Sequence, residues 1–202
     1  MSNSSITWVP LAIYTLAALP QFITSLRTRS AAGVSQGMIY IRLTAVSFYL
    51  IYAFSCGLPL AYRVMMPIYW IMLGSLGLQG YLYDSDHTHQ RIMRLGYGFS
   101  ALCIIVMALI AQFDPYDAGM VSGWIALSGY AVCEIPQVYK NYRRKTLKGF
   151  NFFFPSFLAL GAGIELVSGI MLGLPKPTLA SSIRIITFYL IYCFQRVRYG
   201  AG

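Results

Sequence analysis

Charge is scarce in this chain. Of its 202 residues only 10% are Asp, Glu, Lys or Arg, and only six are acidic, whereas a soluble domain carries about 25% charged residues. So little polar surface excludes an ordinary water-soluble fold. Histidine occurs twice and cysteine four times. Cys56, Cys103, Cys133 and Cys193 all lie inside apolar runs, without CxxC or CxH spacing, so neither a zinc site nor a disulfide framework is expected. "DSDHTH" (Asp84 to His89) reads as a polar loop rather than a metal site. There is no nucleophile–base constellation and no phosphate-cradling glycine loop, so neither an enzyme nor a cofactor is expected. The net charge of +9 does not point to nucleic acid, because the cations stand between apolar runs and form no aromatic-basic platform.

Apolar sequence is what the chain has in quantity, at 57% of residues. Windows long enough to cross a bilayer, about 20 residues each, fall near 7–26, 37–57, 64–83, 93–112, 119–140, 152–173 and 177–195. The first has no basic n-region and no clean small-x-small cleavage site, so it is expected to stay as a span. Arg27, Arg29, Arg91, Arg94, Lys140, Arg143, Arg144, Lys145, Lys148, Arg196 and Arg198 fall on one side of these spans, against Arg63 and Lys176 on the other. The positive-inside rule then predicts an outer N-terminus and a cytoplasmic C-terminus. Short tails, with an "NSS" sequon only a few residues from the first span, favour a bacterial inner membrane, with a lysosomal or other endomembrane as the alternative.

The sequence repeats itself at an offset of 116. Trp8/Trp124, Leu11/Leu127, Tyr14/Tyr130, Pro20/Pro136, Gln21/Gln137, Arg27/Arg143, Gly33/Gly149, Gly57/Gly173, Leu58/Leu174, Pro59/Pro175 and Gln79/Gln195 all match without a gap. An odd fourth helix between two three-helix units restores the orientation of the second copy, as in parallel-repeat transporters. The expected architecture is an all-α integral membrane protein of seven helices in a 3+1+3 order. Its parts are a first bundle at 1–90, a linker helix at 91–115 and a second bundle at 116–202.

Four charges fall inside the spans: Arg42, Glu134, Glu165 and Arg184. Each costs roughly 2.5–3.5 kcal/mol at mid-membrane if unpaired, so each should face the interior. Depth counting at 1.5 Å per residue places Glu165 level with Arg184, and Glu134 level with Arg42. Two ionic layers are therefore expected: Glu165/Arg184 lining the cavity, and Glu134/Arg42 forming a cytoplasmic gate between the bundles. Trp70, mid-span, is a further cavity candidate, with Gln79 and Gln195 beside the substrate or proton path. Pro136 removes a backbone donor and clashes with the carbonyl of Val132, which needs a new partner in lipid, and Gln137 is suited to supply it. Pro20 with Gln21 and Pro136 with Gln137 are thus candidate hinges.

"LPQFITSLRTRSAAGVS" (Leu19 to Ser35) and "IPQVYKNYRRKTLKGFN" (Ile135 to Asn151) resemble the two signature segments of PQ-loop proteins. That family includes cystinosin, the lysosomal cationic amino acid exporters, the SWEET sugar transporters and the KDEL receptors. The resemblance implies two three-helix bundles and transport by alternating access, with the Pro-Gln prolines as hinges. The regions matching the sugar-contacting asparagines of SWEET proteins hold Ile68 to Trp70 and Arg184 to Ile186, without Asn. The position of cystinosin's proton-coupling Asp is Leu158, and its first-repeat equivalent is Arg42. Glu165 and Glu134 are the candidate substitutes as proton carriers, and Arg184 can take a substrate carboxylate. The expected partners are a small amino-acid-like or other polar solute, protons, the lipid bilayer and a second copy of the chain. A sugar uniporter and a cargo receptor or scaffold are the competing readings.

Overall fold

A computed structural model describes residues 4–28, 36–83, 87–145, 147 and 152–200. After a 3-10 turn at Ser4–Thr7, the described residues form α1 (Trp8–Thr28), α2 (Gln36–Ser55), α3 (Leu60–Tyr83), α4 (His87–Ile110), α5 (Pro115–Arg144), α6 (Phe153–Met171) and α7 (Lys176–Tyr199). By length and composition Gly37–Ser55, Pro115–Arg144 and Lys176–Tyr199 suffice to cross a membrane, and Trp8–Ala17, Tyr97–Ile110 and Pro155–Met171 are shorter apolar stretches. Leu16, Leu82, Phe99, Ile170 and Phe194 are exposed on the outside, as lipid-facing side chains are.

Six helices close a ring. α1 packs on α3, α3 has no other large neighbour than α1 and α2, α2 packs on α5, α5 on α7, α7 on α6, and α6 returns to α1. Moving each helix to its repeat equivalent (α1 to α5, α2 to α6, α3 to α7) maps this ring onto itself. α4 lies outside it, against α2 and α5.

The repeat is visible at the level of single hydrogen bonds. α2 ends with Gly57 N–H donating to the Phe54 carbonyl (3.3 Å) and Leu58 N–H to that of Ala53 (3.0 Å). α6 ends with Gly173 N–H donating to Ile170 (3.2 Å) and Leu174 N–H to Gly169 (2.8 Å). Each is a Schellman motif, offset by 116 at every atom pair, with glycine at φ 60° and 62°. Pro59 and Pro175 then start the next helix, and Tyr62 and Thr178 N–H groups donate back to their carbonyls at 2.9 and 3.0 Å. The buried core lies at this corner end, where Leu11, Tyr52, Leu58, Tyr62, Ala126 and Leu174 from both halves meet.

Three boundaries differ from expectation. α5 continues to Arg144 instead of giving way to a basic loop. Cations in a last turn complement the helix dipole, and Lys145, in the left-handed conformation at φ 52°, caps it. The Lys145 ammonium stands 3.9 Å from the Tyr142 ring centroid and 5.2 Å from that of Tyr199. The acidic "DPYD" is a helix start: Asp114 accepts from the Asp117 N–H at 3.2 Å, with Pro115 in the first turn, where its missing donor costs nothing. α4 begins within "DSDHTH", at His87; Asp84 to Asp86 and the side chains of His87 to His89 lie outside the described residues.

Neither corner glycine has an atom within 4 Å of an added Cβ, so only the backbone conformation resists substitution. Gly57→Ala and Gly173→Ala should each lower stability by about 1–2 kcal/mol, by similar amounts, as read from thermal unfolding in detergent.

Candidate functional site

α7 carries the site as a ladder of polar side chains that reach α2, α6 and α5 in turn. At the corner end, Thr178 Oγ1 is 2.7 Å from the Tyr52 hydroxyl of α2. One turn on, Ser182 Oγ donates to Glu165 Oε2 at 2.8 Å. Arg184 Nη1 donates to the Tyr130 carbonyl of α5 at 3.0 Å. Tyr192 donates to Glu134 Oε2 at 3.0 Å. Gln195 then closes the ladder at the Pro-Gln end of the ring.

Glu165 is the hub. It is 4% exposed, and three hydroxyls from three helices hold its carboxylate. Tyr14 of α1 donates to Oε2 at 2.8 Å, Tyr62 of α3 to Oε1 at 2.7 Å, and Ser182 of α7 to Oε2. Four helices, two from each half, converge on one buried acid. A buried carboxylate is tolerable only when its lone pairs are filled, and here neutral hydroxyls fill them. The expected Glu165–Arg184 ion pair is therefore not formed. Ser182 and Arg184 are two positions apart, about 200° around a helix of 3.6 residues per turn. With Ser182 turned to Glu165, Arg184 points to α5. There its guanidinium lies 5.1 Å from the Tyr130 ring centroid, and its buried Nε has no hydrogen-bond partner among the described residues.

The second expected pair is present. Arg42 Nη2 of α2 contacts Glu134 Oε1 of α5 at 2.8 Å and lies 3.7 Å from the Cys133 sulfur. With Tyr192 on its other oxygen, Glu134 joins α2, α5 and α7.

Around Pro136, α5 stays helical. Gln137 does not serve the carbonyl of Val132. Its Nε2 donates to Asn141 Oδ1 (2.9 Å), Asn141 Nδ2 donates to Gln195 Oε1 (3.1 Å), and Gln195 Nε2 donates to the Val138 carbonyl (3.0 Å). The amide at i+4 lies one turn below on the same helix face, closer to hand than the carbonyl above. Gln137 thus staples α5 to α7 inside its own bundle. Gln195 lies about 16 Å along α7 from Arg184, so it belongs to this staple and is remote from the Arg184 level. Its equivalent Gln79 is buried, with Oε1 unpartnered among the described residues. Pro20 and Gln21 fall within α1, but their side chains lie outside the described residues. Trp70 is exposed, and its indole N–H donates to Ser47 Oγ at 2.7 Å, tying α3 to α2.

Tyr14, Tyr62, Ser182, Tyr192 and Asn141 were not singled out in the sequence. Two signals pointed to some of them. Tyr14 is a repeat identity with Tyr130, and Thr178 with Ser182 set two hydroxyls four residues apart on one helix face.

A ring of two three-helix repeats with α4 outside it, its buried charges turned inward and large apolar side chains exposed on its outside, defines an integral membrane protein. The PQ loop repeat family matches this chain twice, over residues 3–61 and 118–178, and the chain belongs to that family. The solved structure of a eukaryotic SWEET transporter shares its fold, with a TM-score of 0.66 over 96% of this chain and 98% of that one, at 12% identity. No curated protein matches the sequence.

Two outcomes follow. Tyr62→Phe removes a hydrogen bond to a charged group and should cost about 1.5–3 kcal/mol in thermal unfolding, with Glu165→Ala costing more than Tyr62→Phe or Tyr14→Phe. Arg42→Glu and Glu134→Arg should each destabilise the protein, and the double reversal should recover part of the loss. No recovery would show that the pair contributes nothing as a pair.

Proposed function

We propose that this protein carries a small polar solute of the amino-acid class across the membrane by alternating access, with Pro20 and Pro136 as hinges and protons as the coupling ion. The family and the shared fold support a small-solute membrane transporter. The observation that carries the finer reading is the separation of Glu165 from Arg184. Among the described residues the guanidinium is held by a carbonyl and a ring face, which leaves N–H donors for a substrate carboxylate, bound well through paired N–H groups.

Glu165 suits proton exchange. A carboxylate clamped by a guanidinium is fixed in its charged form, but hydroxyls both donate and accept. On protonation, the new O–H can donate to Ser182 Oγ, which then turns its own hydrogen to the Thr178 carbonyl, 3.4 Å away. The acid changes charge without leaving a buried orphan. In this reading the corner end faces outward and is sealed by Tyr52, Tyr62 and Glu165. Arg42–Glu134 closes the cytoplasmic end on the α2–α5 side, as the fixed side of the gate, and Trp70 and Gln79 lie beside the path. The cation-rich side lies in the cytoplasm, in a bacterial inner membrane.

Thermal stabilisation in detergent by amino acids, sugars and vitamins, at mildly acidic and neutral pH, tests this directly. An amino acid should stabilise the wild type in a pH-dependent way and lose its effect in Arg184→Ala, with Arg184→Lys retaining part of it. Stabilisation by a sugar, unchanged in Arg184→Ala, would replace this reading with a sugar uniporter. Silence across all solutes would favour a receptor or scaffold.

A further inference from the structure

The two halves of the ring meet along two seams, α2 against α5 and α6 against α1, which the repeat makes equivalent in position but which differ in construction. Along α5, Gly119, Ser122, Gly123, Ala126, Gly129 and Cys133 form a stripe of small residues at helical spacing. A Cβ on Gly119 would stand 2.7 Å from the Cys56 sulfur and 2.9 Å from Ser55 Cβ. One on Gly123 would stand 3.1 Å from the Tyr52 ring, and one on Gly129 3.0 Å from Ala45 Cβ. Such close approach is how helices associate in lipid, where no hydrophobic force drives them together. Arg42–Glu134 fastens the same seam farther along, and α4 packs on both of its helices.

The second seam is more lightly built among the described residues. The counterparts of Gly123 and Gly129 are Thr7, at the end of the 3-10 turn, and Ile13 of α1, so neither position carries a glycine on this side. Only Gly161 offers a close approach, with Tyr14 2.8 Å and Ile13 3.3 Å from its would-be Cβ. The polar fastening there is Glu165, which accepts from Tyr14 of α1 and from Tyr62 of the neighbouring α3. The 3-10 turn Ser4–Thr7 packs on α6 beside this seam, whereas α4 packs on the other.

Resting on the transporter reading, we infer that the α2–α5 seam is a fixed pivot that stays closed through the transport cycle, and that the α1–α6 seam is the one that parts. The bundles then turn about one side of the ring instead of rocking symmetrically. Glu165 is positioned as the catch on the moving side.

The repeat supplies a matched pair of cross-links. Ala45 and Gly129 correspond to Gly161 and Ile13 at the offset of 116. In a background with the four native cysteines replaced by alanine, Ala45→Cys/Gly129→Cys and Ile13→Cys/Gly161→Cys each bring two thiols within bonding reach. Uptake of alanine and glutamate into proteoliposomes is read before and after oxidation. Oxidation of the first pair should leave uptake within about twofold of the reduced protein, and oxidation of the second should reduce it about tenfold or more, reversibly, as expected when a gating motion is blocked. Inhibition by the first disulfide, relieved on reduction, overturns the inference. If Gly129→Cys fails to fold, Gly119→Cys with native Cys56 retained spans the same seam.

Nitroxide pairs decide the matter without a substrate. Phe54 and Val121 report on α2 and α5, and Ile170 and Val9 on α6 and α1; all four are exposed. After Cys substitution and labelling in nanodiscs, the first pair should give one narrow distance and the second a broad or two-peaked distribution. Equal breadth, or two narrow distances, overturns the inference. Uptake absent even from the reduced proteins would count against the transporter reading alone.

Discussion

The structure depends on satisfying one carboxylate where there is no water. Glu165 needs donors, and the backbone of every spanning helix has already spent its own. The donors must therefore be side chains from neighbouring helices, and their heights must agree within an ångström or so. Two glycine corners set those heights. Tyr62 and Thr178 each follow their corner glycine by five residues, so α3 and α7 start level; Tyr62 then reaches Glu165 directly, and α7 does so one turn past Thr178, through Ser182. Tyr14 supplies the third hydroxyl. Moving either corner by one residue would swing the hydroxyls about 100° around their helices and leave the acid unfilled.

The repeat keeps the scaffold and gives up the chemistry. Where the copies agree, as at Gly57/Gly173 and Pro59/Pro175, the local geometry agrees bond for bond. Where they disagree, the charges appear. Arg42 stands opposite Leu158, Glu134 opposite Ala18, Glu165 opposite Tyr49 and Arg184 opposite Ile68. None of the four has a charged counterpart. On one side of the ring Tyr14 donates to Glu165; on the other its equivalent Tyr130 meets Tyr49, the equivalent of Glu165, as ring against ring at 6.4 Å. A symmetric frame thus carries an asymmetric polar interior, and specificity for one solute needs that asymmetry.

The helices and the repeat were legible because both are one-dimensional patterns. The Arg42–Glu134 contact was also legible, because depth along a helix is read by counting. Azimuth was not. Glu165 and Arg184 are level, but Ser182, two residues before Arg184, has taken the face toward Glu165, and only the packed ring shows which of the two wins. The role of Gln137 was hidden for a related reason. A donor near a freed carbonyl suggests a local repair, yet Asn141 one turn on was the nearer acceptor, and the link to Gln195 exists only once α5 and α7 are side by side.

That link bears on how a hinge at Pro136 would act. Pro136 and Val132 both lie on the exposed face of α5, so the clash between the proline ring and the Val132 carbonyl opens the lipid side. A helix opened on one face bends toward the other, here toward the ring. Below the bend, Asn141 and Gln195 join α5 to α7, so the end of α7 is carried along. Above it, Glu134 stays with Arg42 on α2. The amide staple and the ion pair thus lie on opposite sides of the proline, one binding the moving segment into its bundle and the other holding the upper segment to the neighbouring half. A bend between two such fastenings has a defined axis, which an isolated proline kink does not.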